Sequence, residues 1–292
     1  MSSSRLAIGT AQIGLTYGVA NTAGRPSFSQ AKATIHEAFA NQIHSLDTAA
    51  AYGDSESILG KIGVRNWSVT TKLPPALHDI SQTKKDCIPL GVERSLNNLQ
   101  LDSIYGLLLH DASILRQQGG QTVYEQLQSE REKGHVQKIG VSVYSPEELR
   151  LLLSSFDFDI VQIPYNIFDR RLVASGLLDE LKQRGIEVHV RSIFLQGLLL
   201  MPATSRPKKF QRWKKLWDRW DQWLATSGTT ALQSCLQFAL AEPAIDRIIV
   251  GVETVRQLHE IIDAASTTCP SIPDELMCSD TMLLNPSQWT AL

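Results

Sequence analysis

Four polar side chains stand at or just beyond the ends of apolar segments that are typical of buried strands. Asp47 ends IHSLD, and Tyr52 follows it five residues later. Lys72 ends WSVTTK, and His110 ends SIYGLLLH. If these strands run in the same direction in one barrel, their C-terminal ends meet at a single mouth, which is where barrel enzymes carry their chemistry.

Together the four residue types can build an acid that protonates a carbonyl oxygen. A free phenol has a pKa near 10, which is too high for efficient proton donation at neutral pH, and a nearby ammonium lowers that pKa. We therefore expect Tyr52 to give the proton and Lys72 to lower its pKa. We expect Asp47 to keep Lys72 charged and His110 to orient the substrate oxygen, where negative charge develops.

Each of the four residues also has an ordinary structural explanation. Asp47 could form a turn, Tyr52 could be a half-buried loop aromatic, Lys72 could be a solvated strand end, and His110 could be a hydrogen-bonded core histidine. Their coincidence at the ends of strands two, three and four favours the catalytic interpretation over four separate accidents.

The elements that must position these side chains alternate along the whole chain. Strand-like runs that are rich in β-branched and apolar residues are separated by segments with helical periodicity. Strands are predicted at 6–9, 43–48, 67–72, 103–109, 136–142, 158–164, 186–192 and 246–251. Helices are predicted at 29–42, 55–63, 84–99, 123–134, 145–155, 172–185, 231–241 and 254–265.

This alternation predicts an α/β fold in which all strands are parallel, because each helix returns the chain to the same end of the sheet. Eight such units close into a (β/α)8 TIM barrel, here one domain over residues 1–292. The alternative is an open, doubly wound sheet. A dinucleotide-binding sheet of that kind would carry GxGxxG after its first strand, and GTAQIG does not fit that pattern.

Two segments lie outside the repeat. The insertion after strand seven, 202–227, contains Phe210, Trp213, Trp217 and Trp220 at helical spacing. It is either an amphipathic helix that packs its aromatic face on the barrel or a lid over the mouth. The tail, 267–292, either folds over the mouth or runs along the barrel as a strap.

Bulk composition excludes several classes of protein. The chain has 292 residues, 43% hydrophobic and 20% charged, with a net charge of −2. That balance is ordinary for a soluble globular protein and argues against nucleic-acid binding. No apolar run is long enough to span a membrane. The four cysteines form no CxxC pair and the histidines have no zinc-site spacing, so we expect reduced thiols, no metal site and a cytoplasmic location.

The segments LDTAAAYGDSE, TTKL and LLLHD resemble those of the aldo-keto reductase superfamily, and the likeness extends over nearly the whole chain. The resemblance implies a (β/α)8 barrel that reduces aldehydes and ketones with NADPH or, less often, NADH. It also implies that Asp47, Tyr52, Lys72 and His110 form the catalytic tetrad, with tyrosine as the general acid. The five-residue spacing from aspartate to tyrosine is the family's own.

The resemblance further implies a set of cofactor-binding residues. GVSVYS resembles the segment that holds the nicotinamide carboxamide, with Val143 where the family has asparagine, and VQIPYN resembles a second carboxamide segment. VRSIFLQGLL resembles the loop around the pyrophosphate, and GTAQIG resembles the turn after strand one. The residues so implied are Gly9, Thr10, Ser142, Gln162, Arg191, Ser192, Leu195 and Gly197.

Arg191 replaces the aromatic residue that usually stacks on the nicotinamide. A guanidinium can stack on a ring or bind an anionic substrate group. At the adenosine end the resemblance implies Glu253, Gln257 and Glu260. A carboxylate there would repel a 2′-phosphate, and Arg256 could reverse that preference. We therefore expect NADPH, on the family's general habit, with NADH possible.

The leading hypothesis is an enzyme, an NAD(P)H-dependent carbonyl reductase. Asp111, where many members have an aromatic residue, favours a small polar carbonyl substrate. A second hypothesis is a cofactor-binding regulatory subunit with slow turnover, for which the tryptophan-rich insertion would be the partner surface. A third is a lyase or isomerase that forms a Schiff base on Lys72. The sequence leaves the oligomeric state open.

Overall fold

The computed structural model describes residues 3–74 and 86–292. Its strands are β1 Leu6–Gly9, β2 Ser45–Asp47, β3 Ser68–Leu73, β4 Ile104–Leu109, β5 Val136–Ser142, β6 Ile160–Pro164, β7 Glu187–Arg191 and β8 Arg247–Gly251. Its α-helices are α1 Ala11–Gly14, α2 Phe28–Ala40, α3 Ser55–Ile62, α4 Cys87–Leu99, α5 Gly120–Glu132, α6 Pro146–Leu153, α7 Arg171–Ala174, α8 Leu177–Gln183, α9 Lys214–Ser227, α10 Ala231–Leu240, α11 Val255–Ala265 and α12 Thr281–Leu284.

The strands close into one parallel barrel, as the alternation of elements predicts. Each strand pairs with the next along the chain, and β8 pairs with β1. The register places Gly9 beside Asp47 and Asp47 beside Thr70. Lys72 lies beside Leu108 on β4, two residues before His110. The closed barrel therefore brings the ends of β2, β3 and β4 together, and the open-sheet alternative is wrong.

Local sequence explains where some of the helices begin. Helix α6 starts as its sequence predicts: the Ser145 hydroxyl accepts a hydrogen bond from the Glu148 amide at 3.2 Å, and Pro146 is the first helical residue. Helix α3 has Asp54 as its N-cap residue, and the Asp54 side chain makes no capping hydrogen bond. The Ser55 hydroxyl donates to the Thr10 side chain at 2.9 Å, so it ties α3 to the end of β1.

Three predicted helices differ from the structure by a break or by three residues at one end, and the one predicted at 123–134 is α5, Gly120–Glu132. The predicted helix 172–185 is two helices, α7 and α8, because Gly176 between them has a φ of +73° that ends one helix and begins the next. The helix predicted from Lys84 begins at Cys87, and residues 84–85 lie outside the described part of the chain.

The aromatic residues of the insertion face inward. Together with side chains of the barrel loops and the tail, they form a buried apolar core separate from that of the barrel. We call this core the tryptophan cluster, and it includes Phe168, Leu195, Phe210, Trp213, Trp217, Trp220, Leu283, Leu284 and Trp289. The Phe210 and Trp289 rings meet edge to face at 4.8 Å. The insertion thus packs against the tail, which acts as a strap. None of the described insertion residues lines the cavity at the barrel mouth, which favours the packed-helix interpretation over the lid.

Candidate active site

A buried ion pair lies where β2 and β3 end. The Lys72 ammonium donates to Asp47 Oδ2 at 2.7 Å and to the Thr48 carbonyl at 2.9 Å. The two side chains are 1% and 6% exposed, respectively. Lys72 is therefore not the solvated strand end that its sequence context also allowed. Burial lowers the pKa of Lys72, while the Asp47 carboxylate opposes that shift.

Tyr52 and His110 complete the group. The Lys72 nitrogen lies 5.2 Å from the centre of the Tyr52 ring. The Tyr52 and His110 rings meet edge to face with centres 5.7 Å apart. The four side chains predicted from the sequence therefore lie together at one end of the barrel.

The electrostatics of Tyr52 differ from the sequence expectation. Burial raises the pKa of Tyr52, and the Asp47 carboxylate raises it further, while the Arg191 guanidinium opposes both. Lys72 does not lower it, because Asp47 neutralises the ammonium at 2.7 Å. Tyr52 therefore carries its proton at neutral pH and can donate it to a strongly basic oxygen.

His110 is neutral in this site. Burial lowers the pKa of His110 to about 3, and the charges of Lys72 and Arg191 lower it in the same direction. Its buried Nδ1 has no hydrogen-bond partner among the described residues. A neutral ring with its proton on Nε2 leaves that nitrogen able to donate to a substrate oxygen.

The second oxygen of Asp47 is held by a residue that the resemblance assigns to the cofactor. The Gln162 amide donates to Asp47 Oδ1 at 2.6 Å, and Ser142 donates to the Gln162 carbonyl oxygen at 3.3 Å. Both residues are buried. In this structure Ser142 and Gln162 orient the Asp47 carboxylate through these hydrogen bonds, and neither side chain lines the cavity.

A cavity of about 320 Å³ runs from Tyr52 across the mouth to α11. Its walls come from the loops after β1, β7 and β8. The residues implied by sequence that line it are Gly9, Thr10, Asp47, Tyr52, Arg191, Ser192, Gly197, Glu253, Gln257 and Glu260. Lys72 and His110 are not among its described lining residues. Neither is Leu195, whose side chain is buried in the tryptophan cluster.

The loop after β7 has an unusual backbone. Ser192, Leu195 and Gln196 have φ values of +60°, +48° and +54°, and Gly197 has +87°. Positive φ is uncommon for residues with a side chain and clusters at functional sites. The loop is pinned to the opposite wall by a hydrogen bond of 3.1 Å from the Val19 amide to the Gln196 carbonyl. It forms one wall of the cavity beside Arg191.

The far end of the cavity lies at the start of α11. The Gln257 side chain accepts a hydrogen bond from the Glu253 amide at 2.8 Å, which fixes the turn after β8. Arg256 pairs with Glu260 at 3.3 Å and is 82% exposed. Carboxylate and amide groups that can bind ribose hydroxyls therefore lie here, with one basic side chain beside them.

Several lining residues carry no recognisable sequence signal. Gln12, Tyr17 and Gln196 line the cavity, and all three lie in irregular loops or a single-turn helix. The Gln196 amide donates to the Tyr17 hydroxyl at 3.3 Å. Asp111, in contrast, is exposed, caps a 3-10 helix through the Ser113 amide at 2.9 Å, and does not line the cavity.

Comparison with known proteins identifies the family and the fold. The model of the Aldo/keto reductase family matches residues 5–271. The chain belongs to the Aldo/keto reductase family. It is therefore an NAD(P)H-dependent oxidoreductase with the (β/α)8 barrel of that family.

Named relatives of this aldo/keto reductase are distant. It is 25% identical to the uncharacterized oxidoreductase YqkF of Bacillus subtilis (strain 168), over 82% of this chain and 83% of that protein. It is also 25% identical to the L-galactose dehydrogenase of Arabidopsis thaliana, over 81% of this chain and 78% of that protein.

Two solved structures show the same fold. The holo form of aldo-keto reductase AKR11C1 from Bacillus halodurans is 21% identical, with a TM-score of 0.73 over 91% of this chain and 88% of that one. The glycerol dehydrogenase AKR11B4 from Gluconobacter oxydans is 21% identical, with a TM-score of 0.68 over 93% and 88% of the two chains. At this identity the likeness establishes the barrel and not the substrate.

Among the described residues, no helix is long and apolar enough to cross a membrane. The same part of the chain contains no group of three His, Cys, Asp or Glu side chains that could hold a metal ion.

Proposed function

We propose that this protein reduces an aldehyde or ketone to an alcohol with NADPH, and accepts NADH, using Tyr52 as the general acid. The observation that carries the proposal is the position of Tyr52, which lines the cavity beside the buried Lys72–Asp47 pair. A bound reduced nicotinamide would supply the hydride. The chain's own residues then need only place the carbonyl and meet the charge that develops on its oxygen.

The proton moves from Tyr52. As the carbonyl carbon gains hydride, its oxygen becomes an alkoxide and takes the phenol proton, and the resulting phenolate regains a proton from solvent. A high phenol pKa does not prevent this transfer, because an alkoxide is a much stronger base. His110 donates from Nε2 to the same oxygen, and the charge of Arg191 favours the transient phenolate.

The lining residues fit a nicotinamide dinucleotide. Arg191, Ser192 and Gly197 form a wall with a cation beside the acid, and Glu253, Gln257 and Glu260 offer acceptors to ribose hydroxyls at the far end. Arg256 is the basic residue at that end that could accept a 2′-phosphate, although it pairs with Glu260 at 3.3 Å. A single domain over residues 1–292, a small polar carbonyl substrate and a cytoplasmic location complete the proposal.

The test is a pair of fluorescence titrations with NADPH and with NADH, followed by cofactor oxidation assays on a panel of small aldehydes and ketones. We expect saturable binding of both cofactors, tighter for NADPH, and turnover of at least one polar carbonyl. Binding without turnover of any carbonyl would instead favour the regulatory-subunit hypothesis.

The structure gives the other hypotheses less support. The tryptophans that would form a partner surface are buried in the tryptophan cluster, where Trp220 is completely inaccessible. The Lys72 amine is equally inaccessible and already bonded to Asp47, so it is poorly placed to attack a carbonyl as a Schiff-base nucleophile.

A further inference from the structure

Arg191 is a cation held rigidly beside the proposed acid. It ends β7 and lines the same cavity as Tyr52. Its guanidinium stacks on the Tyr144 ring at 4.2 Å and donates one hydrogen bond to the Val143 carbonyl at 3.0 Å. A stacked guanidinium fixed by one bond keeps most of its donors free in a set orientation.

No carboxylate among the described residues pairs with this guanidinium. Of the three carboxylates that line the cavity, Asp47 pairs with Lys72 and Glu260 pairs with Arg256, while Glu253 lies at the far end, in the turn after β8. His110 is neutral, with a pKa of about 3. The acid end of the cavity therefore carries a net positive charge, and a partly buried cation without a counterion favours an anionic ligand.

A second donor, Tyr17, lines the same cavity as Arg191. The Tyr17 hydroxyl lines the cavity and accepts a hydrogen bond from the Gln196 amide at 3.3 Å, which leaves its own hydrogen free to be donated. Burial raises the pKa of Tyr17 to about 12, so the hydroxyl keeps that hydrogen at neutral pH.

We propose that Arg191 and Tyr17 form an anion-binding site for a carboxylate on the carbonyl substrate, so that the preferred substrate class is short oxo acids. This inference rests on the proposed reductase function. The guanidinium offers a planar fork that matches a carboxylate, and the phenol adds a third hydrogen bond. The same chemistry would suit the pyrophosphate of the cofactor, and the experiment separates these two sources.

The test compares matched acids and esters. The ratio of kcat/KM for succinic semialdehyde to that for its methyl ester, and for glyoxylate to methyl glyoxylate, is measured for the wild type and for Arg191→Met, Arg191→Lys and Tyr17→Phe. Arg65→Met is the charge-matched control, because Arg65 is exposed, pairs with Asp102 at 3.2 Å and does not line the cavity. Dissociation constants for NADPH and NADH are measured for every variant.

We expect Arg191→Met to lower the acid-to-ester ratio by about ten- to a hundredfold, as the loss of a charge-assisted bond implies. Arg191→Lys should restore part of it, Tyr17→Phe should lower it by less, and Arg65→Met should leave it unchanged. Equal losses for acid and ester would overturn the proposal. So would an unchanged ratio with about tenfold weaker binding of both cofactors, which would assign Arg191 to the pyrophosphate.

If the wild type reduces no carbonyl, the reductase proposal fails on its own and the anion site is tested by binding. Succinate and succinamide are then titrated into the cofactor-saturated protein. Preferential binding of succinate that Arg191→Met abolishes supports the site, and equal binding of the two compounds overturns it.

Discussion

Removing both partners of the Asp47–Lys72 pair should destabilise the protein clearly less than the sum of the two single removals. The two side chains are 6% and 1% exposed and their charged atoms are 2.7 Å apart. Asp47→Asn leaves a fully buried ammonium whose acceptors are neutral oxygens, among them the Thr48 carbonyl at 2.9 Å. Breaking a buried pair in this way costs about 3–5 kcal/mol of the free energy of unfolding, because the remaining charge has no counterion.

The expected pattern is a strong coupling between the two sites. Lys72→Met should cost a comparable amount of free energy, because it leaves the buried Asp47 carboxylate without a cation. The Gln162 amide, at 2.6 Å, is then its remaining side-chain donor among the described residues. The loss in free energy of unfolding for the double variant Asp47→Asn/Lys72→Met should be smaller than the sum of the two single losses, by at least about 2 kcal/mol.

Urea unfolding of the wild type, both single variants and the double variant measures this coupling from the midpoints and slopes. The matched control is the exposed pair between Lys214 and Asp218, whose side chains are 75% and 58% exposed. Asp218→Asn should change the free energy of unfolding by about 0.5 kcal/mol or less. Additivity of the Asp47 and Lys72 substitutions within about 0.5 kcal/mol would refute the buried pair.

Three further predictions follow from the described charges. Because the pKa of His110 is about 3 rather than 6.5, kcat/KM should show no inflection near pH 6.5, and a break there would contradict a neutral imidazole. Arg256→Ala should weaken NADPH binding about three- to tenfold more than NADH binding, and equal effects in the two titrations would remove its role at the 2′ position. Hydrogen bonds from His189, Lys138 and others outweigh burial and lower the pKa of Glu187 below 4.5. The ionised Glu187 carboxylate therefore adds stability above about pH 4.5, and this stability is lost as the pH falls below that value. Glu187→Gln should make the free energy of unfolding depend less on pH in the acid range. An unchanged dependence would argue against the hydrogen bonds between Glu187, His189 and Lys138.

Sequence reasoning succeeded where a periodic pattern determines the structure. The alternation of short apolar runs with helical periods allows few arrangements, and the barrel requires β2, β3 and β4 to end at one mouth. That constraint is enough to bring Asp47, Lys72 and His110 together, because strand ends are fixed by the sheet register. Helix α6 could be predicted equally well, because Ser145 and Pro146 are local signals for the start of a helix.

Features set by distant contacts could not be predicted from the sequence. The hydrogen bond from Gln162 to Asp47 joins residues 115 apart in the chain, and no local pattern encodes it. The tryptophan spacing revealed an apolar face but not that the tail would cover it. Tyr17 lies in a loop whose path depends on its contact with Gln196. The raised pKa of Tyr52 could not be predicted either, because the effect of Lys72 on that pKa depends on how completely Asp47 neutralises the ammonium.

The role of Tyr52 as proton donor is tested by the single substitution Tyr52→Phe. The substitution removes one hydroxyl from the cavity and leaves the Lys72–Asp47 pair in place. Cofactor titrations and carbonyl turnover are measured on the same preparation. We predict that Tyr52→Phe binds NADPH within about threefold of the wild type and loses at least about a hundredfold in kcat. Full carbonyl turnover by Tyr52→Phe would contradict the account.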